Sequence, residues 1–245
     1  MTAITRATWT LALGVLLAFV DVPLAGRGDG ASQITSSPAR TDAMRHHFDS
    51  ATAALDAVMR GDLSAARSEA RALLSEPDPS DLPESGAPHL KAMRAGADRA
   101  VKAADLEQAA AATSSILAAC GDCHRAVGTM PAHPTPPEPK IGGVLGHMEQ
   151  HKVAADLMAQ ALTTPSSSLW KDGADALANA PLHRDDLPDT AKISVDALKA
   201  EKTIHALAMR ALTANEPAAR VRIYSELIVS CSTCHVANGR AGPLP

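Results

Sequence analysis

Two stretches of the chain set a pair of thiols and an imidazole at a fixed spacing: Cys120-Gly121-Asp122-Cys123-His124 and Cys231-Ser232-Thr233-Cys234-His235. Residues i and i+3 of a helix share one side. Both thiols of a pair can therefore form thioethers to the two vinyl groups of one porphyrin, while the following His reaches the iron. This is the c-type haem attachment pattern, and its two copies consume all 4 cysteines of the chain. The same residues could build a zinc site from two Cys-x-x-Cys pairs, or two redox dithiols. Neither use, nor a disulfide, requires a His directly after each second cysteine. The pattern predicts two haem c groups, with Cys120, Cys123, Cys231 and Cys234 as covalent anchors and His124 and His235 as iron ligands.

The elements that must position these residues emerge from an internal repeat. Met44-Arg45-His46-His47 aligns with Met148-Glu149-Gln150-His151 at an offset of 104, which also relates Leu73 to Leu177 and Pro77 to Pro181. Asp81-Leu82-Pro83-Glu84 meets Asp186-Leu187-Pro188-Asp189 at 105, and from Arg99-Ala100 against Arg210-Ala211 through both cysteine motifs the offset is 111. The two copies span residues 41–128 and 141–239. Between them, residues 129–140 include Met130-Pro131-Ala132-His133-Pro134-Thr135-Pro136-Pro137-Glu138-Pro139, whose prolines resist helix and predict a semi-rigid linker between two domains.

Each copy reads as four helices. Met44, Ala51, Ala54, Leu55 and Val58 recur at helical spacing with His47 in the same stripe, and Gly61-Asp62 ends that helix. Asp62 can cap a second helix through Leu74, the prolines from Pro77 to Pro83 form a loop, and a third helix is expected over about 88–102. Asp105 can cap a fourth that carries the cysteines toward Gly128. The second copy predicts helices over about 143–162, 166–179, 189–213 and 216–237. Short connections imply an all-α fold of two tandem up-down-up-down four-helix bundles, each holding one c-type haem.

The repeat also sifts the remaining ligand candidates. Of the 10 histidines, only His47 with His151 and His124 with His235 occupy matched positions, and of the 8 methionines only Met44 with Met148 do. His46, His89, His133, His147, His183 and His205 lack a histidine counterpart, so they read as solvated or satisfied side chains. In an antiparallel bundle the start of the first helix lies beside the end of the fourth, so His47 and His124 fall at a similar height. Imidazole is a strong iron ligand, which favours His47 and His151 in the sixth position. Met44 and Met148 are the alternative distal ligands, their commoner use being core packing.

The chain thus resembles the class II cytochromes c, the cytochrome c prime family, in which a four-helix bundle holds one haem on a Cys-x-x-Cys-His near the end of its last helix. The resemblance covers both repeats and rests on motif placement and helix count. It implies Cys120, Cys123, Cys231 and Cys234 as thioether donors, His124 and His235 as proximal ligands, and a distal residue on the first helix, where Met44 or His47 and Met148 or His151 stand.

Composition agrees with a cofactor in the core. The chain is 46% hydrophobic but has only 2 Phe, 2 Trp and 1 Tyr, so small side chains must pack around some other flat apolar bulk. A net charge of -4 with no cluster of Lys and Arg argues against nucleic-acid partners. Arg6 followed by the apolar run Trp9–Val20 reads as a signal peptide within residues 1–30, cleaved after Ala25 or retained as an anchor, and it predicts a periplasmic protein. A filled sixth position leaves no open iron, so the expected role is one-electron transfer between redox partner proteins, with no small-molecule substrate and no enzymatic activity. The alternative is binding of NO or CO at five-coordinate iron, as the family resemblance implies.

Overall fold

Helix boundaries follow the capping residues closely. The Asp62 side chain accepts a hydrogen bond from the Ala65 amide at 2.8 Å, and Asp105 accepts one from Gln108 at 2.8 Å, each satisfying an orphan N–H of a first turn. Gly61 and Gly128 adopt left-handed φ of 79° and 70° at the ends of the helices they terminate. The computed structural model describes residues 37–132, 143–179 and 194–239. Among them it contains eight α-helices and one short 3-10 turn, Glu84–Gly86, and no strand.

The first repeat supplies α1 (Pro38–Met59), α2 (Leu63–Ser75), α3 (Ala87–Lys102) and α4 (Leu106–Val127); the second supplies α5 (Gly143–Thr163), α6 (Ser167–Ala178), α7 (Val195–Leu212) and α8 (Pro217–Ala237). The all-α class is as expected, and the boundaries differ in two places. The first helix begins at Pro38 because Ser37 caps it and proline suits a first helical position. The seventh begins at Val195, not near 189, because the Ser194 side chain accepts from the Ala197 amide. The expected signal peptide, most of the Pro-rich linker and the Asp186–Asp189 loop lie outside the described residues. Among the described residues, no helix is long and apolar enough to cross a membrane.

Within each repeat, successive helices pack on one another. The repeats also pack together: α4 runs along α8 and touches α5, while α1 touches α8. As a result the largest apolar cluster draws on both, joining Leu55, Val58 and Leu117 to Met158, Trp170, Leu207, Tyr224 and Ile228. A smaller cluster, Ala51, Leu73, Met93, Ala97, Ile116 and Ala119, belongs to the first repeat alone, with Leu90 and Cys120 packed against it.

The closest helix contact falls inside a cysteine motif. A Cβ on Gly121 would lie 2.0 Å from the Leu162 carbonyl oxygen, so only a residue without a side chain lets α4 press against the end of α5. The matching contact is looser: the Gly61 turn at the end of α1 meets Ser232 and Val236 of α8. Each cysteine-bearing helix therefore ends against the other repeat's first helix.

Candidate functional site

Each cysteine pair sits near the C-terminal end of a long helix, as the motif requires. All four cysteines are free and half-buried. Burial, reinforced by the neighbouring Cys123, pushes the Cys120 thiol up to about 12; burial and then Cys234 do the same to Cys231, also to about 12. Reactive dithiols and zinc-binding thiols have their pKa lowered by nearby positive charge or a helix N-terminus. Near the C-terminal ends of α4 and α8, these thiols lack a helix N-terminus and are raised by burial instead.

His124 is oriented across the repeat boundary. Its Nδ1–H donates to the Thr163 carbonyl at 2.7 Å, at the end of α5. That bond fixes the tautomer and leaves Nε2 as the free lone pair, the way metal-bound imidazoles are usually held. Burial lowers the pKa of His124, with the Thr163 carbonyl partly opposing, so the ring is disposed to the neutral form that ligates metal. His235, half-buried, follows Cys234 on the matching turn of α8.

In the first repeat, His47 is buried at 3% exposure, and neither ring nitrogen has a hydrogen-bond partner among the described residues. An imidazole in that state normally costs free energy, roughly 1–3 kcal/mol for each buried unsatisfied group. Burial and then the charge of Arg94 lower its pKa. Arg94 is held in place by donating to the Leu73 carbonyl at 2.7 Å and to the Glu76 carbonyl and Asp78 carboxylate. His47 stands one helical turn before Ala51, and Ala51 shares its apolar cluster with Cys120. The alternative ligand Met44 is only half-buried.

The donor set fits a c-type haem in this repeat: two adjacent thiols, an imidazole with its Nδ1 satisfied and Nε2 free, and a second imidazole with no other partner. Its apolar surroundings, Leu73, Leu90 and Met93, suit a porphyrin face.

The second repeat is built differently. His151 occupies the position of His47 and is buried at 8% exposure, and Met148 is half-buried. Beside His151 lies a carboxylate. Glu201 Oε1 is 3.8 Å from His151 Nε2 and 3.2 Å from His147 Nε2, and it accepts a hydrogen bond from His205 Nε2–H at 3.1 Å. The His147 and His151 rings are 4.1 Å apart. Burial pushes the Glu201 carboxyl up. Close contact with His147, the charges of His151 and His147 and the His205 hydrogen bond outweigh it and hold the carboxyl at about 2. Burial raises the Cys234 thiol, and the Glu201 charge adds to the rise at both Cys231 and Cys234 of the second cysteine motif.

His205, hydrogen-bonded to Glu201, is satisfied as the sequence reading of unmatched histidines expects, whereas His147 is buried beside the same carboxylate. His147 is buried at 5% exposure with Nε2 lacking a hydrogen-bond partner, and His205 is drawn to Glu201. The sequence carried a signal for them that a comparison of repeats discards. His147 with His151, and Glu201 with His205, are both i,i+4 pairs, each on one helix face. Their first-repeat counterparts, Ala43, Leu90 and Arg94, hold no such group. His46 is exposed and His89 half-buried, while His133 and His183 lie outside the described residues.

Two open grooves, of about 630 and 770 Å³, lie between α7, α8 and the start of α4; no cysteine or histidine lines either. The second reaches Ser232 and Thr233, which stand between the two cysteines of the second motif. Comparison with protein-family models, with curated proteins and with solved structures returns no match.

Proposed function

We propose that this chain is an exported dihaem c-type cytochrome, built from two cytochrome c prime-like four-helix bundles, that carries single electrons between partner proteins. Haem c would be held by Cys120, Cys123 and His124 in the first repeat and by Cys231, Cys234 and His235 in the second. When bound, it supplies a one-electron iron couple. The residues of the chain would do the rest: the cysteines would fix each porphyrin through thioethers, and the Thr163 carbonyl orients His124. His47 carries this reading, because a buried imidazole with both nitrogens unpartnered is explained by an axial bond. Were His124 and His47 both to hold the iron in the first repeat, the haem would supply electron transfer, at a potential lower than Met/His ligation gives.

A second reading, binding of NO or CO at five-coordinate iron, has a specific observation behind it in the second repeat. There His151 shares its pocket with Glu201 and His147, so it has partners other than an iron.

Reduced and oxidised spectra with a CO titration test both readings. The first repeat should show a low-spin haem that does not take up CO, and His47→Ala should convert one haem of the two to high spin and open it to CO. High spin at both irons in the unaltered protein, with rapid CO uptake at both, would overturn electron transfer in favour of gas binding.

A further inference from the structure

The second repeat contains a grouping that goes beyond the haem reading and gives His151, the expected distal ligand of the second haem, a different role. His147, His151 and Glu201 each offer a ligand atom, those atoms lie within 4.8 Å of one another, and all three residues are buried; it is the only such grouping among the described residues. The helices that supply them, α5 and α7, have no close backbone contact, so the cluster spans the interior of the bundle. A tetrahedral zinc ion bound at about 2.0–2.2 Å to imidazole nitrogen and carboxylate oxygen sets neighbouring ligand atoms about 3.4 Å apart. The separations from Glu201 Oε1, 3.2 Å to His147 and 3.8 Å to His151, bracket that value.

We infer that His147, His151 and Glu201 form a binding site for a divalent transition-metal ion of the zinc class, separate from either haem iron.

Three features beyond proximity support it. His147 Nε2 and Glu201 Oε1 are both buried and stand 3.2 Å apart without a well-aligned hydrogen bond between them, so both atoms front the same small space. His205 lies outside the ligand group and donates to Glu201, the outer hydrogen bond that usually orients a metal-binding carboxylate. Two imidazoles and a carboxylate match the preference of zinc and its neighbours for nitrogen and oxygen donors, and three protein ligands leave a coordination position open. The repeat supplies an internal control: with Ala43, Leu90 and Arg94 at the matching positions, the first repeat has the same helices and no such site.

The inference requires the second haem to be held without His151, and the test reads zinc and haem separately. The full exported chain, matured with its haems, is stripped with chelator, loaded with Zn²⁺ and dialysed. Zinc per chain is then measured beside haem per chain, and the zinc-edge X-ray absorption spectrum is recorded. One zinc should be retained, with nitrogen and oxygen neighbours, alongside two haems. His147→Leu and Glu201→Leu, the latter installing the first repeat's residue, should each abolish retention with helical content and haem count unchanged. His205→Ala should weaken zinc binding by about 10–100-fold. Failure of the unaltered protein to retain zinc would overturn the inference, as would undiminished retention by His147→Leu. Zinc on sulfur at about 2.3 Å would place the ion on the cysteines and also overturn it. A haem count of zero would instead sink the cytochrome reading, whatever the zinc result.

Discussion

The two repeats share helix order, cysteine spacing and the position of a buried histidine, yet they spend their interiors differently. In the first, His47 is buried with neither ring nitrogen hydrogen-bonded, and Arg94, whose charge lowers its pKa, is tied to the end of α2 and the loop after it. In the second, the matching space holds Glu201 and three histidines. The contrast extends to the core. Trp170 and Tyr224 fill the second repeat, where the matched positions in the first are Ala66 and Thr113. Trp170 donates to the Ala211 carbonyl at 2.8 Å and lies under the Arg220 guanidinium, 5.4 Å away. A duplicated scaffold has thus kept the geometry that presents two thiols and an imidazole, while the pocket opposite has diverged from apolar to ionic.

The most severe way to break the comparison is to remove one cysteine motif at a time, which tests the proposed haem attachment. Cys120→Ala with Cys123→Ala should leave one covalent haem, carried by the second repeat, and Cys231→Ala with Cys234→Ala should leave one carried by the first. Mass spectrometry of the intact chain reads both, and either pair leaving two haems would end the claim that the motifs act equivalently.

Core truncation should expose the asymmetry next. Trp170→Ala removes a fully buried indole and should cost about 3–5 kcal/mol in urea unfolding. Because the larger cluster is shared, the loss should destabilise both repeats in one transition. Two separated transitions would show that the repeats unfold as independent units.

A smaller effect is expected at the point where α4 meets α5. Gly121→Ser installs the residue found at the matching place in the second motif, against a backbone oxygen that cannot move aside, and should cost about 1–3 kcal/mol. The reverse exchange, Ser232→Gly, should cost no more than about 1 kcal/mol, the helix-propensity difference. Equal costs would mean that the two cross-repeat contacts are alike.

The mildest pair differs in sign. Tyr224→Phe loses the hydrogen bond to the Ala155 carbonyl, 3.1 Å long, and should cost about 1 kcal/mol. Its counterpart Thr113→Val removes a buried hydroxyl that has no partner and should be neutral or slightly stabilising. Thermal unfolding of the two variants checks this, and a destabilised Thr113→Val would reveal a partner for that hydroxyl.

Much of this architecture was legible before any coordinates. Caps at Asp62 and Asp105, apolar spacing and the prolines after Ser75 are local signals, so helix boundaries agreed with expectation to within a residue or two over most of the chain. The exceptions, at Pro38 and Val195, are serine caps that helical periodicity overruled on paper. Within the candidate site, the cysteines and the buried state of His47 and His151 followed from type, spacing and repetition. The cluster around Glu201 did not, because comparing repeats selects what they share, and that cluster exists in one repeat only.

The amino-acid sequence by itself determined the all-helical class, the repeat and the positions of the thiols and of their adjoining imidazoles, since each depends on neighbours within a few residues along one helix. Tertiary structure alone decided that the two repeats share a core, that the Thr163 carbonyl holds His124 from the other repeat, and that Glu201 lies among His147, His151 and His205. Apart from the Glu201–His205 pair, which is four residues apart on α7, those contacts join residues about 40 or more positions apart on different helices, and which faces meet depends on how side chains of both helices interlock.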